Sequence, residues 1–551
     1  MSSIFDLKTN VSELSSVNGG MARMSYDQQP PTRDTTGSNF PNGAIHFRWQ
    51  TSGQKWWIPN RSYMRLRCAL TRGDGTPLRL SDNIAPNMGL CASLFQSAEF
   101  RINDKTVSRI SDFMPQVDAL DTRLSKSRSW LNGVGNAVNF WEDTFSIRQQ
   151  EVCYDGANNV ITQSSVERLN LGFDAATNTV AVAADTGVIT FAANAGAALP
   201  TLADIFQVGD ELEIDCAGVI GTVRYRISAL LAGGLTLQAN NLQTIAFPAA
   251  GVAFRRIRRV LQDNEARKQG GLELIWTPPL SLFKVGHAMP SGKYELILNP
   301  QTASVYQKAA IESFGADKTA GTTAATFKFS VVDMYMYVNT VEGPRCDDLT
   351  YLLDLEQTRC QSDKIDNNSF GQKNFDVSPS SYALTVAYQD LRAGTNTQVS
   401  ASKFKSYSAA LDGEADTKLN RFYLSYAGQN LPSPDADPSF GLSSLAINGS
   451  DYTVQRYVES QIYSKAFYDV GGPESVKEYR NRGAYYHFAI PRDGTDRSTR
   501  VNVHQGFDPL NPASAADTTA NMRILLFDHS KQVARVRVQD GRVVDVQLED
   551  A

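Results

Sequence analysis

Histidine and cysteine are scarce in this 551-residue chain, and both scarcities narrow its chemistry. Of the five histidines (His46, His287, His487, His504 and His529), no two stand four apart. That excludes the helical zinc site, which needs two imidazoles on one face a turn apart. Each reads as a strand or loop residue, with a pH-sensitive interface group as the functional alternative. The six cysteines (Cys68, Cys91, Cys153, Cys216, Cys346 and Cys360) form no CxxC pair and have no metal-type spacing. They read as reduced, mostly buried thiols of an intracellular protein. Phosphate-binding glycine loops are missing as well. No GxxxxGK[ST] occurs, Gly292-Lys293 lacks the preceding glycine, and Gly133-Val134-Gly135 has neither a third glycine nor a strand before it. No GxSxG turn offers a serine nucleophile. The opening MSSIFDLKTNVSELSS lacks the basic-then-apolar order of a secretory signal. No run approaches the ~20 apolar residues that span a bilayer. The expectation is a protein made and used in soluble form, without a secretion signal.

Positive charge is also lacking. The net charge is −5, from 53 Lys and Arg against 58 Asp and Glu. A protein that coats nucleic acid directly carries a strong basic stripe or tail, because neutralised phosphates supply most of the affinity. Direct, sequence-specific nucleic-acid binding is therefore not expected.

What is present is the vocabulary of strands and turns: 26 Phe, 21 Tyr, 39 Gly and 22 Pro, in a chain that is 42% hydrophobic and 20% charged. That composition is ordinary for a globular protein, and the length calls for two to four domains. Residues 1–44 are polar, and Lys8, Arg23 and Arg33 nearly cancel Asp6, Glu13, Asp27 and Asp34. They read as an extended N-terminal arm that ties subunits together.

From Ile45 the strand signal is strong. Met64, Leu66, Cys68 and Leu70 alternate with Arg65, Arg67 and Ala69, and Ala98, Phe100 and Ile102 alternate with Glu99, Arg101 and Asn103. Period two puts one face in a core and the other in water. A helix is expected around 113–127, with Phe113, Val117, Leu120 and Leu124 on one face. Strands resume at 272–276, 294–298 and 327–338. Between 174 and 254 Ala, Gly, Thr and Val dominate, Trp is absent and charges are sparse. That stretch reads as a small β-barrel inserted into a loop of the first large domain, 45–344. The run Arg255-Arg256-Ile257-Arg258-Arg259 at its exit is either a return strand with a solvated basic face or a contact for an acidic partner.

A second domain over 345–551 repeats the grammar. Strands fall at 382–388 and 419–426, and a helix at 451–467 sets Val454, Val458, Ile462 and Ala466 four apart. Strands follow at 484–490, 500–504 and 522–527. A final hairpin turns on Asp540-Gly541, because both turn residues need positive φ. Strands, a mid-domain helix and further strands thus occur twice with little residue identity. Without the arm and insertion there is room for two β-sandwiches of about 200 residues each. Tandem jelly rolls fit best: an all-β fold, a double jelly roll with short helices and a small inserted β-domain.

No catalytic, cofactor-binding or metal-ligating constellation emerges. Asp347-Asp348, Asp435 with Asp437 and Asp493 with Asp496 are solvated turn caps or, less in keeping with the missing twelve-residue loop, calcium ligands. Trp49, Trp56 and Trp57 either fill a sandwich core or form a sugar-stacking platform. The Asn-x-Ser sequons at Asn10, Asn367 and Asn448 carry no weight without a secretory route.

Four segments carry a resemblance. They are Phe40-Pro41-Asn42-Gly43-Ala44-Ile45-His46-Phe47, Leu94-Phe95-Gln96-Ser97-Ala98-Glu99-Phe100-Arg101-Ile102-Asn103, the stretch from Trp276-Thr277-Pro278-Pro279-Leu280 to Leu298, and His504-Gln505-Gly506-Phe507-Asp508-Pro509 with the closing strands. In these the chain resembles the double jelly-roll major capsid proteins of double-stranded DNA viruses, the adenovirus-type lineage with polinton-like viruses, virophages and large eukaryotic DNA viruses. The resemblance implies a structural protein of the virion and not an enzyme. It implies homotrimeric, pseudo-hexameric capsomers that build an icosahedral shell assembled inside the host cell. The implied partners are further copies of the chain, penton and minor capsid proteins, in many relatives a membrane beneath the shell, and a host receptor at the outer loops. The insertion would stand on the outer crown and the arm on the inner face. Two rival readings are a jelly-roll receptor- or glycan-binding spike and a glycoside hydrolase on a β-sandwich.

Overall fold

Alternating residues commit this chain to strands, and a computed structural model shows how those strands pair. It describes most of residues 24–140, 272–313, 327–390, 418–431, 452–476, 485–508 and 522–550, with separate strands between 148 and 260. The first half supplies β1 (Met24–Gln29), β2 (Ile45–Gln50), β3 (Tyr63–Arg72), β4 (Phe95–Ile102), β5 (Lys105–Ile110), β6 (Leu272–Trp276), β7 (Lys293–Pro300) and β8 (Phe327–Glu342). The second supplies β9 (Leu349–Lys364), β10 (Gly371–Asp376), β11 (Ser381–Asp390), β12 (Lys418–Tyr426), β13 (Gln429–Leu431), β14 (Tyr485–Ala489), β15 (Arg500–Asp508) and β16 (Met522–Gln539), closed by β17 (Arg542–Asp550).

The first eight form two sheets in the orders β1-β8-β3-β6 and β2-β7-β4-β5. The next eight form β9-β16-β11-β14 and β10-β15-β12-β13. Adding eight to every number in the first pair of sheets gives the second pair. Each half is an eight-stranded double Greek key, so the fold is all-β and consists of two tandem jelly rolls. Lys55–Trp57 extends the first roll beside the far end of β8, as β17 does beside β16.

Pairing within these sheets is antiparallel. Successive strands therefore alternate in direction, and the connections sort by end. Odd-to-even connections leave from one end: 30–44, 73–94, 111–271 and 301–326 in the first roll, and 365–370, 391–417, 432–484 and 509–521 in the second. Even-to-odd connections leave from the other: 51–62, 103–104 and 277–292, then 377–380, 427–428 and 490–499. The longest excursions, 111–271 and 432–484, leave from the first end, here the crown, and the two-residue turns 103–104 and 427–428 from the second, the base. Two base turns are two-residue hairpins with both φ positive, Asn103-Asp104 at 46° and 65° and Ala427-Gly428 at 50° and 78°.

The first core is aromatic. Trp57 stacks on Phe100 at 5.3 Å, meets Trp49 at 5.2 Å and Tyr294 at 4.8 Å, and donates its indole N–H to Ser62 Oγ at 2.9 Å. Edge-to-face and offset ring pairs of this kind add about 0.5–1.5 kcal/mol each beyond area burial. The second core, with Leu384, Val386, Tyr388, Phe422, Leu424, Val503 and Leu526, is a separate cluster.

The structure departs from the sequence reading in two places. Met24–Gln29, assigned to the arm, is an edge strand of the first roll, paired with β8 from Met24↔Val341 to Gln29↔Met336. Its alternation hides because the inward side is Ser25, Asp27 and Gln29, held by the ladder and by the Ser25 Oγ–Thr340 Oγ1 contact of 2.9 Å instead of by apolar burial. Residues 1–23 lie outside the described residues. The strands of 174–254 belong to a larger eight-stranded sheet running from Arg148–Tyr154 to Phe254–Val260. The strand holding the Arg255–Arg259 run pairs with Glu211–Asp215 on one side and Arg148–Tyr154 on the other. Among the described residues that sheet is an open path with no pair joining its ends, so no closed barrel is seen. The helices lie at Met114–Ser125 (α1) and Tyr452–Tyr468 (α2). In α2 Val458 and Ile462, spaced four apart, face outward, 46% and 63% exposed. The buried side carries Ser460, Tyr463 and Ser464.

Candidate functional site: the joint between the rolls and the faces left open

Both rolls point the same way, and the base shows it. β8 ends and β9 begins there, with six residues between them (343–348). Val543 N–H donates to Ser291 O at 2.7 Å, Asn103 Nδ2 donates to Val543 O, and Lys105 Nζ pairs with Asp545 at 2.5 Å. The Asp540-Gly541 turn, φ 52° and 73°, is clamped by Asp348, whose Oδ1 accepts from Asp540 N–H at 2.6 Å.

Above the base, helices seal the joint. α1 belongs to the β5–β6 excursion and α2 to the β13–β14 excursion, so the two meet as counterparts. Ser464 Oγ donates to Leu124 O at 2.6 Å, and Arg128 Nη1 donates to Pro473 O at 2.9 Å. Arg123, fully buried, bonds Glu474 at 2.8 Å and lies over Phe404 at 4.8 Å. Removing one member of such a pair strands a charge in a dry interior. Gly472 is required by space: a Cβ there would sit 2.7 Å from Arg123 O.

The middle of the sheet β9-β16-β11-β14, along β11 and the first half of β16, is buried on both sides as a result. Along β11, Leu384, Val386 and Tyr388 point into the second core, while Ala383 and Ala387 join the continuous apolar cluster of the first roll and the joint. Between them Thr385 Oγ1 bonds His487 Nδ1 at 2.7 Å and His529 Nε2 at 2.8 Å, and Thr358 Oγ1 meets His529 Nδ1 at 3.2 Å. Burial pushes both imidazoles down, His529 to about 3 and His487 well below its ordinary value. On α1, burial pushes Asp118 up to about 7, against the bond that Trp276 Nε1 donates at 3.0 Å.

The residues singled out in the sequence scatter. Trp49, Trp56 and Trp57 are buried in the first roll, so they offer no sugar platform. His46 joins Arg48 around Glu295, at 2.8 and 2.5 Å. Burial alone would raise Glu295; the bonds from Arg48 and His46 outweigh it and hold the carboxyl low. His504 stacks on Tyr423 at 4.3 Å. Cys68, Cys91 and Cys360 are free, buried thiols pushed up by burial. His287, Asp347, Asp435, Asp437, Asp493, Asp496, Cys216, Cys346 and the three sequons lie outside the described residues. Among the described residues no group of three metal-ligating side chains occurs, and no helix is long and apolar enough to cross a membrane. Sequence reasoning missed the joint entirely: Arg123 and Glu474 carry no local motif, since each finds its partner in the other half of the chain.

Among the described residues, the outer faces of the first roll stay uncovered. The outer side of β1-β8-β3-β6 carries Tyr63 stacked on Tyr337 at 5.3 Å, with Tyr26 at 5.7 Å from Tyr63. Beside them lie the pairs Arg65–Glu273 and Arg67–Asp333, and Ile275 and Val332 are 37% and 41% exposed.

Among solved structures the chain is similar to a chain of the Sputnik virophage, seen by cryo-electron microscopy, at 11% identity over 96% of this chain and 88% of that one, with a TM-score of 0.49. It is similar to the faustovirus major capsid protein at 10% identity, covering 94% and 91%, TM-score 0.44. The mavirus major capsid protein matches at 10% identity over 96% and 90%, TM-score 0.41. No family model and no curated protein matches.

Proposed function

We propose that the chain is a major capsid protein whose homotrimers form pseudo-hexameric capsomers of an icosahedral shell around a DNA genome. The observation that carries this reading is the repeat itself. One polypeptide holds two jelly rolls with the same strand order, fixed side by side and the same way up. Three such chains supply six near-equivalent blocks, and closed cyclic assemblies are the common outcome for soluble homo-oligomers. The joint between the rolls holds structural contacts, an ion pair between helices and a hydroxyl-bridged pair of neutral histidines. The net charge of −5 suits a shell wall that does not grip its genome.

In this reading the protein resides in the virion. The 148–260 sheet forms an outer tower on the crown, residues 1–23 act as an arm on the inner face, and penton and minor capsid proteins, an underlying membrane and a host receptor are the further partners. The spike reading has lost its Trp platform to the core.

Electron microscopy with native mass measurement of the purified protein tests the proposal. Expected are particles of three times 60.5 kDa with pseudo-hexagonal outline, or closed icosahedral shells. A monomer at every concentration, without shells, would refute it. Removing residues 1–23 is expected to leave trimers intact and impair shell closure; intact shells from that truncation would remove the arm from the account.

A further inference from the structure

We infer that a polar cavity shared by the two rolls is a binding site for a free oxyanion of the phosphate class. The inference goes beyond the capsid reading and does not depend on it. The cavity, of about 190 Å3, is lined by ten residues, every one polar or charged, so its walls do not suit an apolar ligand. Arg109 of β5 comes from the first roll, and the rest of the lining comes from β9, the 377–380 turn and β16 of the second. The site therefore exists only while the rolls are docked.

Three cations line it: Arg109, Arg359 and Lys531. Among the described residues none of the three forms an ion pair, whereas Arg48, Arg65, Arg67, Arg101 and Arg123 all do. Lys531 Nζ lies 5.6 Å from the centre of the Tyr382 ring instead, and Glu356, opposite Lys531 in the β9–β16 ladder, is not part of the lining. The carboxylate that is present, Asp528, is already engaged by the protein. It is buried, and it accepts from Ser381 Oγ and, at 2.7 Å, from the N–H of Ser378. With Asp528 ionised the lining still carries three positive charges against one negative. Hydroxyls complete the cradle: Ser378 and Ser380, whose Oγ atoms are 2.9 Å apart, and Ser530. Guanidinium forks, an ammonium and hydroxyl donors are the set that satisfies a tetrahedral oxyanion. An anion held there ties Arg109 of the first roll to Arg359 and Lys531 of the second, and so tightens the joint.

Thermal melts and calorimetric titration of the full chain with inorganic phosphate test this, against chloride at equal ionic strength. Phosphate at about 10 mM is expected to raise the wild-type melting temperature by about 2 °C or more. Arg359→Gln/Lys531→Gln is expected to fold, to lose that rise and to bind phosphate at least tenfold more weakly. Arg109→Gln, in the other roll, is expected to weaken binding in the same direction. Lys328→Gln/Arg537→Gln, which removes equal charge from exposed strand positions elsewhere, is expected to keep the full response. A wild-type protein indifferent to phosphate, or one whose response survives in the Arg359/Lys531 variant, overturns the site. Sedimentation with vesicles of phosphatidylcholine and phosphatidic acid, without a response to free phosphate, assigns the cations to a lipid surface and overturns the free-anion site as well.

Discussion

Two sheets with the same strand order, β1-β8-β3-β6 and β9-β16-β11-β14, live in different solvents. The first packs one side on a core and shows arginines and tyrosines on the other. The second is covered on both sides along β11 and the first half of β16, where the residues toward the joint include Ala383, Thr385, Ala387 and His529. Topology therefore does not decide which face is dry; the neighbour does. The sequence has adjusted to each: large and charged where the face is free, small or fully hydrogen-bonded where another roll presses on it.

The sharpest way to break this comparison is to remove a charge from the joint. Arg123→Met leaves Glu474 buried alone and is expected to cost about 3–5 kcal/mol in chemical denaturation. Adding Glu474→Leu should restore most of that, since a pair of apolar groups needs no partner. Trp57→Ala in the first core is expected to cost a similar 3–5 kcal/mol or so. Tyr63→Ala on the open face should stay within about 0.5 kcal/mol for the isolated subunit.

The two rolls should also respond to pH in opposite senses. His487 and His529 are held below the ordinary 6.5, so the unfolded chain takes protons first. Their contribution is intact above about pH 6.5 and is lost as pH falls below it, for His529 down to about pH 3, by up to about 1.4 kcal/mol per unit for each. Asp118 is held above the ordinary 3.8, so the unfolded chain loses its proton first. Stability should fall as pH rises from about 4 to about 7 and then level off. Thermal melts across pH 3–9 check both limbs: Asp118→Asn is expected to flatten the upper one and His529→Gln the acid one. If Asp118→Asn leaves the slope between pH 4 and 7 untouched, the burial assigned to that carboxyl is wrong.

Gly472→Ala sharpens the comparison at finer scale. A methyl pressed against Arg123 O should cost about 1–3 kcal/mol, read as a lower denaturation midpoint with unchanged slope. The smallest effect belongs to Val458→Asp, expected within about 0.5 kcal/mol in the separated subunit.

How much of this was legible follows from the same contrast. β3 announced itself because Met64, Leu66, Cys68 and Leu70 face oil while Arg65 and Arg67 face water. The Asp540-Gly541 hairpin was legible because only a few residue types accept positive φ at both turn positions. β1 was not, because its inward side is polar and its stability comes from backbone pairing with β8, more than 300 positions away. For α2 the period marked the helix but not the face it buries. Helical spacing tells which residues share a side, but whether that side meets a core or another molecule depends on packing. The joint was invisible for the same reason: Arg123 and Glu474 stand 351 positions apart.

A single-particle reconstruction of the purified protein at a resolution that separates strands tests the central claim most directly. The expected map has six sandwich-shaped lobes around a threefold axis, two per chain, with the longest excursions and the 148–260 sheet projecting from one end. A chain whose two lobes point in opposite directions, or are joined by a flexible tether with no fixed angle between them, would contradict it.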